Sequence, residues 1–167
     1  MRGAELAGPS HHRSTLTAVE RADLEALARE IGYEVGMMAA SAAFHRLRLE
    51  LERVVSFSLI EACLLHARNL DDFLGKPAPR PGEVLAIHYQ PSWIPHRFID
   101  RDERRAINTR LARVTVSRAS ANVEWLVPLA RRGLDAFGAF VASLDPEAAG
   151  WFRDDLAEAE RALAMVS

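Results

Sequence analysis

The sequence predicts an all-α fold, a single-domain bundle of four to five helices. Apolar residues recur at steps of three and four along most of the chain, which is the spacing of one helical face. Capping signals and prolines divide the chain into helix-length segments, and no segment shows the alternation of a half-buried strand. With 167 residues, of which 49% are hydrophobic, the chain is long enough to enclose one core.

The first helix is predicted to begin at Thr17, which forms a capping box with Glu20. Residues 1–16 are expected to be a flexible leader, and residues 17–167 are expected to form the domain. The apolar face of this helix is Leu24, Leu27, Ile31, Val35, Met38 and Ala42. A line of small residues runs beside it: Gly32, Gly36 and Ala40. Because glycine within a helix costs ~1 kcal/mol relative to alanine, this line indicates that another helix packs closely there.

The second helix is predicted to follow a break near residues 45–51 and to end at Leu74. Gly75 is the expected C-terminal cap, and Pro77 cannot continue the helix. The inward face of this helix is Val55, Leu59, Ala62, His66, Asn69 and Phe73.

A loop over about residues 75–99 is predicted to separate the second helix from the third. The closely spaced prolines of residues 76–82 favour an extended linker rather than a turn. Disordered segments are poor in aromatic residues, whereas this loop contains Tyr89, Trp93 and Phe98. We therefore expect the loop to be ordered and to pack against the core.

Three further helices complete the predicted bundle. Asp100 and Glu103 are expected to cap the third helix, and Asn122 the fourth. The third helix carries the line Ile107, Leu111, Val114 and Arg118. The order Asp145-Pro146-Glu147 predicts the start of the fifth helix, because it supplies a capping carboxylate, a proline at the first position and an acid that the helix dipole favours.

The composition excludes several kinds of site. The single cysteine, Cys63, excludes an intramolecular disulfide and a cysteine-based zinc site. No signal peptide is visible, and the apolar run 35–44 is shorter than the ~20 residues that span a bilayer. The sequence also lacks a glycine-rich phosphate loop and the Glu-x-x-His pairs of helical metal sites. We expect a cytoplasmic protein with no cofactor, no metal and no membrane partner.

Charge is unevenly distributed along a chain whose formal net charge is −2. Residues 97–118 contain seven arginines and three acids, whereas residues 145–160 contain six acids and one arginine. Such asymmetry is also a feature of nucleic-acid-binding proteins. We expect instead that the two segments complement each other within one chain or between subunits.

The segment Glu61–Leu74 places polar residues on a helix that otherwise has the pattern of a core helix. His66 and Asn69 are three residues apart and share the inward side. Arg68 lies four residues before Asp72 and could pair with it along the surface. Buried polar groups need partners, so the cluster is either a structural network or a site. In a site, His66 would act as acid, base or anion donor, since its unperturbed pKa of ~6.5 allows both protonation states.

The third helix carries further binding candidates: Asn108, Arg113, Thr115 and Arg118. Arg118 ends the apolar line of this helix. Its guanidinium is expected either to reach a buried carboxylate or a phosphate, or to lie in water while its stem covers the core.

Two motifs carry a resemblance to known proteins. The first is His66-Ala-Arg-Asn-Leu70 with Glu61 upstream, and the second is Asn108-x-x-Leu-Ala-Arg-Val-Thr115 with Arg118. Together they resemble a group of small bacterial helical proteins and, through that group, the HEPN superfamily. The resemblance implies antiparallel helices, frequent homodimers and, in active members, a metal-independent ribonuclease. Those active members use an arginine, four to six intervening residues and then a histidine.

The sequence departs from that catalytic pattern. The nearest spacing, from Arg80 to His88, has seven intervening residues and crosses a loop. Arg113 stands where a histidine is expected in the bacterial group. We therefore favour a helical binding or interaction module that is homodimeric and non-catalytic, and in which the cluster around His66 is structural.

Two alternatives stay open. One is an RNA-directed enzyme, or an inactive relative of one, in phage defence or a toxin–antitoxin pair; His66 would then transfer protons. Three arginines would bind the phosphates of RNA or of a nucleotide: Arg68, Arg113 and Arg118. The other alternative is a small-ligand pocket between helices, with Tyr89 and Trp93 as a lid.

Overall fold

The computed structural model of the chain describes residues 20–47, 52–112 and 124–166. These ranges form seven helices and no strand, which confirms the all-α prediction. The helices are α1 (Arg21–Leu47), α2 (Arg53–Gly75), α3 (Ala86–Tyr89), α4 (Arg101–Ala112), α5 (Leu126–Ser143), α6 (Pro146–Gly150) and α7 (Arg153–Ala164). The expected number of four to five is slightly too low, because α3 and α6 have only four and five residues. None of the helices in these ranges is long and apolar enough to cross a membrane.

The predicted break between the first two helices is confirmed. α1 ends at Leu47 and α2 begins at Arg53. Other sequence predictions lie outside the described residues: the leader 1–16, the caps Thr17 and Asn122, and the candidates Arg113, Thr115 and Arg118.

The start of the predicted fifth helix is also confirmed, but that helix is divided. Asp145 caps α6, since its Oδ1 accepts hydrogen bonds from the backbone N–H groups of Glu147 and Ala148 at 3.0 and 2.9 Å. The helix ends after five residues at Gly150, and α7 begins at Arg153. The repeated spacing of apolar residues did not reveal this interruption.

α1 contacts three other helices of the bundle, α2, α5 and α7. α2 also contacts α5 on one side and α4 on another. The core between these helices contains the large buried side chains Met38, Leu64, Leu70, Phe137, Phe140 and Phe152. Removal of this apolar surface from water is the main force that holds the helices together.

The loop between α2 and α4 packs on the core through its aromatic residues, as predicted. The ring of Tyr89 lies edge-on to that of Phe152 at 5.4 Å, and its hydroxyl donates to the carbonyl of Leu24 at 2.8 Å. The indole N–H of Trp93 donates to the carbonyl of Leu74 at 2.9 Å. Both rings therefore pack against the core, and the interpretation of them as a ligand lid loses its support.

Two details of this loop differ from the prediction. Gly75 is the last residue of α2 rather than its cap, and a Cβ there would lie 2.4 Å from Cγ of Arg97. Glycine at this position therefore lets the loop pass close to the helix end. Residues 80–83 form a turn, closed by a 3.0 Å backbone hydrogen bond, in which Gly82 has a φ of 82° after a proline. The expectation of an extended linker rather than a turn is wrong at this point.

The line of small residues on α1 meets its neighbour at one end only. At Gly32 a Cβ would lie 2.1 Å from Oδ2 of Asp155, so α7 approaches closely there. At Gly36 no atom of a neighbouring helix in the described residues lies within 4 Å of the Cβ position, and the expected close helix contact is wrong there. Gly36 instead borders an open groove of about 270 Å³ between α1 and α7.

Candidate functional site

His66 lies on the side of α2 that faces α1, and it pairs there with Glu34. Its Nδ1 is 2.7 Å from Oε2 of Glu34, and the histidine is 8% exposed. Because an ionised carboxylate only accepts hydrogen bonds, Nδ1 is the donor in this contact. The ring of Tyr33 lies edge-on to the imidazole at 5.4 Å. Two residues of α1, Glu34 and Tyr33, thus set the orientation of the imidazole.

Asn69 joins the same carboxylate, as its predicted position on the inward side suggested. Its Nδ2 lies 3.2 Å from both carboxylate oxygens of Glu34. Glu34 thereby connects two side chains of α2 to α1. The sequence analysis predicted that His66 and Asn69 share one face of the helix, but it did not identify Glu34 as their partner. The signal was present, since Glu34 lies three residues after Ile31 and four before Met38 on the inward-facing spacing of α1.

A histidine paired with a carboxylate is also the way in which catalytic sites orient a general base. Covalent catalysis by such a base would also need a protein nucleophile beside it. Cys63 is fully buried, and burial raises the pKa of its thiol to about 12, so it carries no thiolate at neutral pH. In the described part of the chain, Glu34 is the one side chain that hydrogen-bonds to His66. The geometry fits an interhelical tether.

The other candidates do not converge on His66. Arg68 is half-buried and makes no ion pair within the described ranges, so its predicted pairing with Asp72 is wrong. Asn108 is exposed on α4 and, among the described residues, shares no hydrogen bond with the His66 cluster. The positions of Arg113 and Arg118 lie outside the described residues.

The most buried charge in the described chain is Asp71, which sequence reasoning did not single out. It is fully buried, and its Oδ1 accepts the backbone N–H groups of Phe98 and Ile99, both at 3.0 Å. Its Oδ2 accepts hydrogen bonds from Arg97 and Arg104, both at 2.6 Å. Four donors thus satisfy one carboxylate, which a buried charge requires.

Asp72 extends this network toward the surface. It accepts hydrogen bonds from Arg97 and Arg104, and Lys76 lies 3.4 Å away. Burial by itself raises the pKa of Asp72, but the charges of Arg104 and Lys76 and the two arginine hydrogen bonds outweigh it and lower the pKa below its usual value. Lys76 also bonds to Glu83 at 2.9 Å. The network ties the loop and the start of α4 to α2.

The basic segment 97–118 and the acidic segment 145–160 do not pair with each other in the described residues. In the described residues, arginines of the basic segment pair with Asp71 and Asp72, and the acids Asp145 and Glu147 lie near Arg21. The remaining acids of residues 154–160 form no ion pair within the described ranges. The expectation of complementarity within one chain is thus wrong for the described part of the two segments.

An apolar surface, which we call the α1 face, runs along the outer side of α1. It consists of Tyr33, Met37, Ala40, Phe44 and Leu47. Three of its members are about half exposed: Tyr33 (55%), Phe44 (52%) and Leu47 (50%). Exposed Leu65, Val54 and Val55 lie on the neighbouring helix α2. Tyr33, Met37 and Ala40 also line the groove between α1 and α7. Apolar side chains that stay exposed along one side of a helix are candidates for an interaction surface.

A second concave surface lies on α4. It is a cavity of about 510 Å³ lined by residues that include Arg105, Thr109 and Trp125. The guanidinium of Arg110 lies 6.0 Å from the centre of the Trp125 ring. Asp102 and Glu103 contribute negative charge to the same lining, so the cavity has no single sign of charge.

No group of three or more metal-ligating side chains occurs among the described residues. Comparison with protein-family models, curated proteins and solved structures finds no match to this chain. The HEPN resemblance therefore stays a prediction, and the functional argument rests on the geometry.

Proposed function

We propose that the protein is a non-catalytic helical interaction module that acts as a homodimer in the bacterial cytoplasm. The observation that carries this proposal is the α1 face, in which Tyr33 and Phe44 are each about half exposed. Since an aromatic side chain can bury roughly 200 Å², these two residues alone leave on the order of 200 Å² of apolar surface in contact with water. Covering such a surface favours association.

The polar cluster supports the non-catalytic part of the proposal. The orientation of His66 is set by Glu34, and Glu34 also binds Asn69, so the carboxylate is occupied by two partners on α2. Cys63 is excluded as a nucleophile by its burial. A tether between two helices accounts for all of these contacts.

Light scattering coupled to size-exclusion chromatography tests the homodimer. At micromolar concentration the molar mass is expected to be twice the 18.5 kDa of one chain. A mass of one chain at every concentration up to that range would overturn the homodimer.

RNA recognition by an HEPN-like enzyme, or by an inactive relative in phage defence or a toxin–antitoxin pair, is the second candidate. It is favoured by Arg101 and Arg105, which are exposed on α4 and make no ion pair within the described ranges. Trp125 in the adjacent cavity offers a ring on which a base can stack. Incubation with labelled RNA distinguishes the two functions. Cleavage that is lost in His66→Ala would support the enzyme, and salt-sensitive retention without cleavage would support an inactive RNA-binding relative.

A further inference from the structure

The cavity beside α4, which we call the α4 cavity, has the size of a small-molecule site. Its volume of about 510 Å³ lies within the ~300–1,000 Å³ that is typical of ligand sites. Asp102, Arg105 and Thr109 line it and follow one another at steps of three and four residues, so they share one side of α4. Trp125, which directly precedes α5, also lines it. The proposed homodimer makes no use of these residues.

The end of the α4 cavity at Trp125 offers a surface for a planar ring. The indole is partly exposed, and the guanidinium of Arg110 lies 6.0 Å from its ring centre. Nucleobases stack on indole rings and also on the planes of arginine guanidinium groups. Thr109 lines the same end, and its hydroxyl can both donate and accept a hydrogen bond. This end therefore fits a base, whose edge carries both donors and acceptors.

Arg105 supplies a cation at a suitable distance from that end. Its side chain is exposed and makes no ion pair within the described ranges. It lies four residues before Thr109, which is about 6 Å along the helix axis. A guanidinium binds phosphate oxygens through two parallel hydrogen bonds. A base at Trp125 with its phosphate one ribose away thus matches the two ends of this arrangement.

We propose that the α4 cavity binds a nucleoside monophosphate, with its base on Trp125 and its phosphate on Arg105. The inference goes beyond the proposed homodimer and does not depend on it, because the homodimer rests on the α1 face. It also differs from recognition of RNA, since one nucleotide is enough to contact both ends of the cavity.

The negative charge in the lining limits the number of phosphates. Asp102 lies one turn before Arg105 and makes no ion pair within the described part of the chain. Its carboxylate repels a second phosphate placed beyond the first. Glu103 has less influence, because Arg132 binds its Oε1 at 2.6 Å. We therefore expect a monophosphate to bind more tightly than the corresponding diphosphate or a longer RNA strand.

Isothermal titration calorimetry on the full chain tests the ligand class. AMP, GMP, CMP and UMP are titrated separately, followed by inorganic phosphate and by the nucleoside and the diphosphate of whichever monophosphate binds. At least one monophosphate is expected to bind, and more tightly than its nucleoside or its diphosphate. No binding of any of the four at millimolar concentration would overturn the inference. Binding of inorganic phosphate with the same affinity would do so too, because it would show an anion site without a base.

A matched pair of arginine variants tests the position of the phosphate. Arg105→Ala should weaken monophosphate binding by about tenfold or more, because a charge-assisted contact is lost, but should leave nucleoside binding unchanged. Arg153→Ala is the control, since Arg153 is exposed on α7 and also makes no ion pair within the described ranges. Its affinity for the monophosphate should equal that of the wild type. Equal losses in the two variants would overturn the assignment of Arg105.

The fluorescence of Trp125 tests the position of the base. The nucleotide is expected to quench the tryptophan emission of the wild type, and Trp125→Phe should lose this quenching while calorimetry still detects binding to the remaining aromatic ring. The other two tryptophans are engaged elsewhere: Trp93 bonds to Leu74, and Trp151 packs on Tyr89. Unchanged quenching in Trp125→Phe would overturn the placement of the base.

A short labelled RNA separates the inference from RNA recognition. RNA that binds more tightly than every monophosphate, and loses affinity in Arg105→Ala, would overturn the single-nucleotide site and favour the RNA function. None of these outcomes changes the molar mass expected from light scattering, so the homodimer is tested separately.

Discussion

Two carboxylates bind α2 to its surroundings, and they differ in how completely they are enclosed. Asp71 is fully buried and accepts four hydrogen bonds, two from backbone N–H groups and two from arginines. The side chain of Glu34 is 27% exposed and bonds to His66 and Asn69. The first carboxylate positions a loop and the second connects two helices at the edge of the α1 face. His66, the residue that the sequence made most conspicuous, therefore belongs to the less buried of the two carboxylate networks.

The difference follows from desolvation. A buried charge must be compensated by its full set of partners, so removing it leaves several groups unsatisfied. A partly exposed charge can exchange its protein partners for water at lower cost. Stability measurements on variants of the two clusters should therefore give effects of clearly different size.

The largest effect is expected for Asp71→Ala. The substitution leaves the buried N–H groups of Phe98 and Ile99 and the side chains of Arg97 and Arg104 without their shared acceptor. Loss of one partner of a buried network costs about 3–5 kcal/mol of unfolding free energy. Urea denaturation monitored by circular dichroism measures this change. A loss below about 1 kcal/mol would show that the network is not the anchor of the loop.

A smaller effect is expected for Glu34→Ala, because its carboxylate is partly exposed. The expected cost is about 1–2 kcal/mol, the range of hydrogen bonds that involve a charged group. A double-mutant cycle with His66→Ala should give a coupling energy of about 1 kcal/mol, since the two side chains contact each other. Additive effects of the two substitutions would contradict a tether between them.

The smallest expected effect is the contribution of Asp72 to the pH dependence of the unfolding free energy. The folded-state pKa of Asp72 is lower than its ordinary value of 3.8, so its stabilising contribution is present above that pH and is lost as the pH falls through the lower folded value. Asp72→Asn should therefore lose less stability than the wild type between pH 7 and pH 3. Urea titrations at a series of pH values measure the difference.

Asp155→Asn is the matched control for this experiment. Burial, followed by the charges of Glu158 and Asp154, raises the pKa of Asp155. Its contribution to stability therefore falls as the pH rises, which is the opposite sign from that of Asp72. The variant should be stabilised at neutral pH and should lose more stability on acidification. Equal slopes for both variants and the wild type would contradict the electrostatic account of Asp72.

The helices could be predicted because their stability depends on a repeated local pattern. The apolar line from Leu24 to Ala42 and the cap at Asp145 are both readable from neighbouring residues. Asp71 also lies on such a line, three or four residues from Ala67 and Leu74, which are both fully buried. That position predicts burial, but its partners depend on where a distant loop crosses the helix.

The candidate site was predictable only in part for the same reason. The inward positions of His66 and Asn69 follow from the helical period, whereas their acceptor lies on another helix, at Glu34. The helical spacing also placed Arg68 beside Asp72, but Arg97 and Arg104 reach that carboxylate from distant parts of the chain. Local spacing predicts which residues share a face, but the choice among distant partners depends on tertiary packing.

The central claim is that the α1 face holds two copies of the chain together. It is tested most directly by comparing the molar masses of Phe44→Glu and Ile94→Glu, both of which place a charge at an exposed apolar residue. The account predicts that Phe44→Glu is a folded monomer, with an unchanged helical circular dichroism spectrum, and that Ile94→Glu remains a dimer. A folded Phe44→Glu variant that is as dimeric as Ile94→Glu would contradict it.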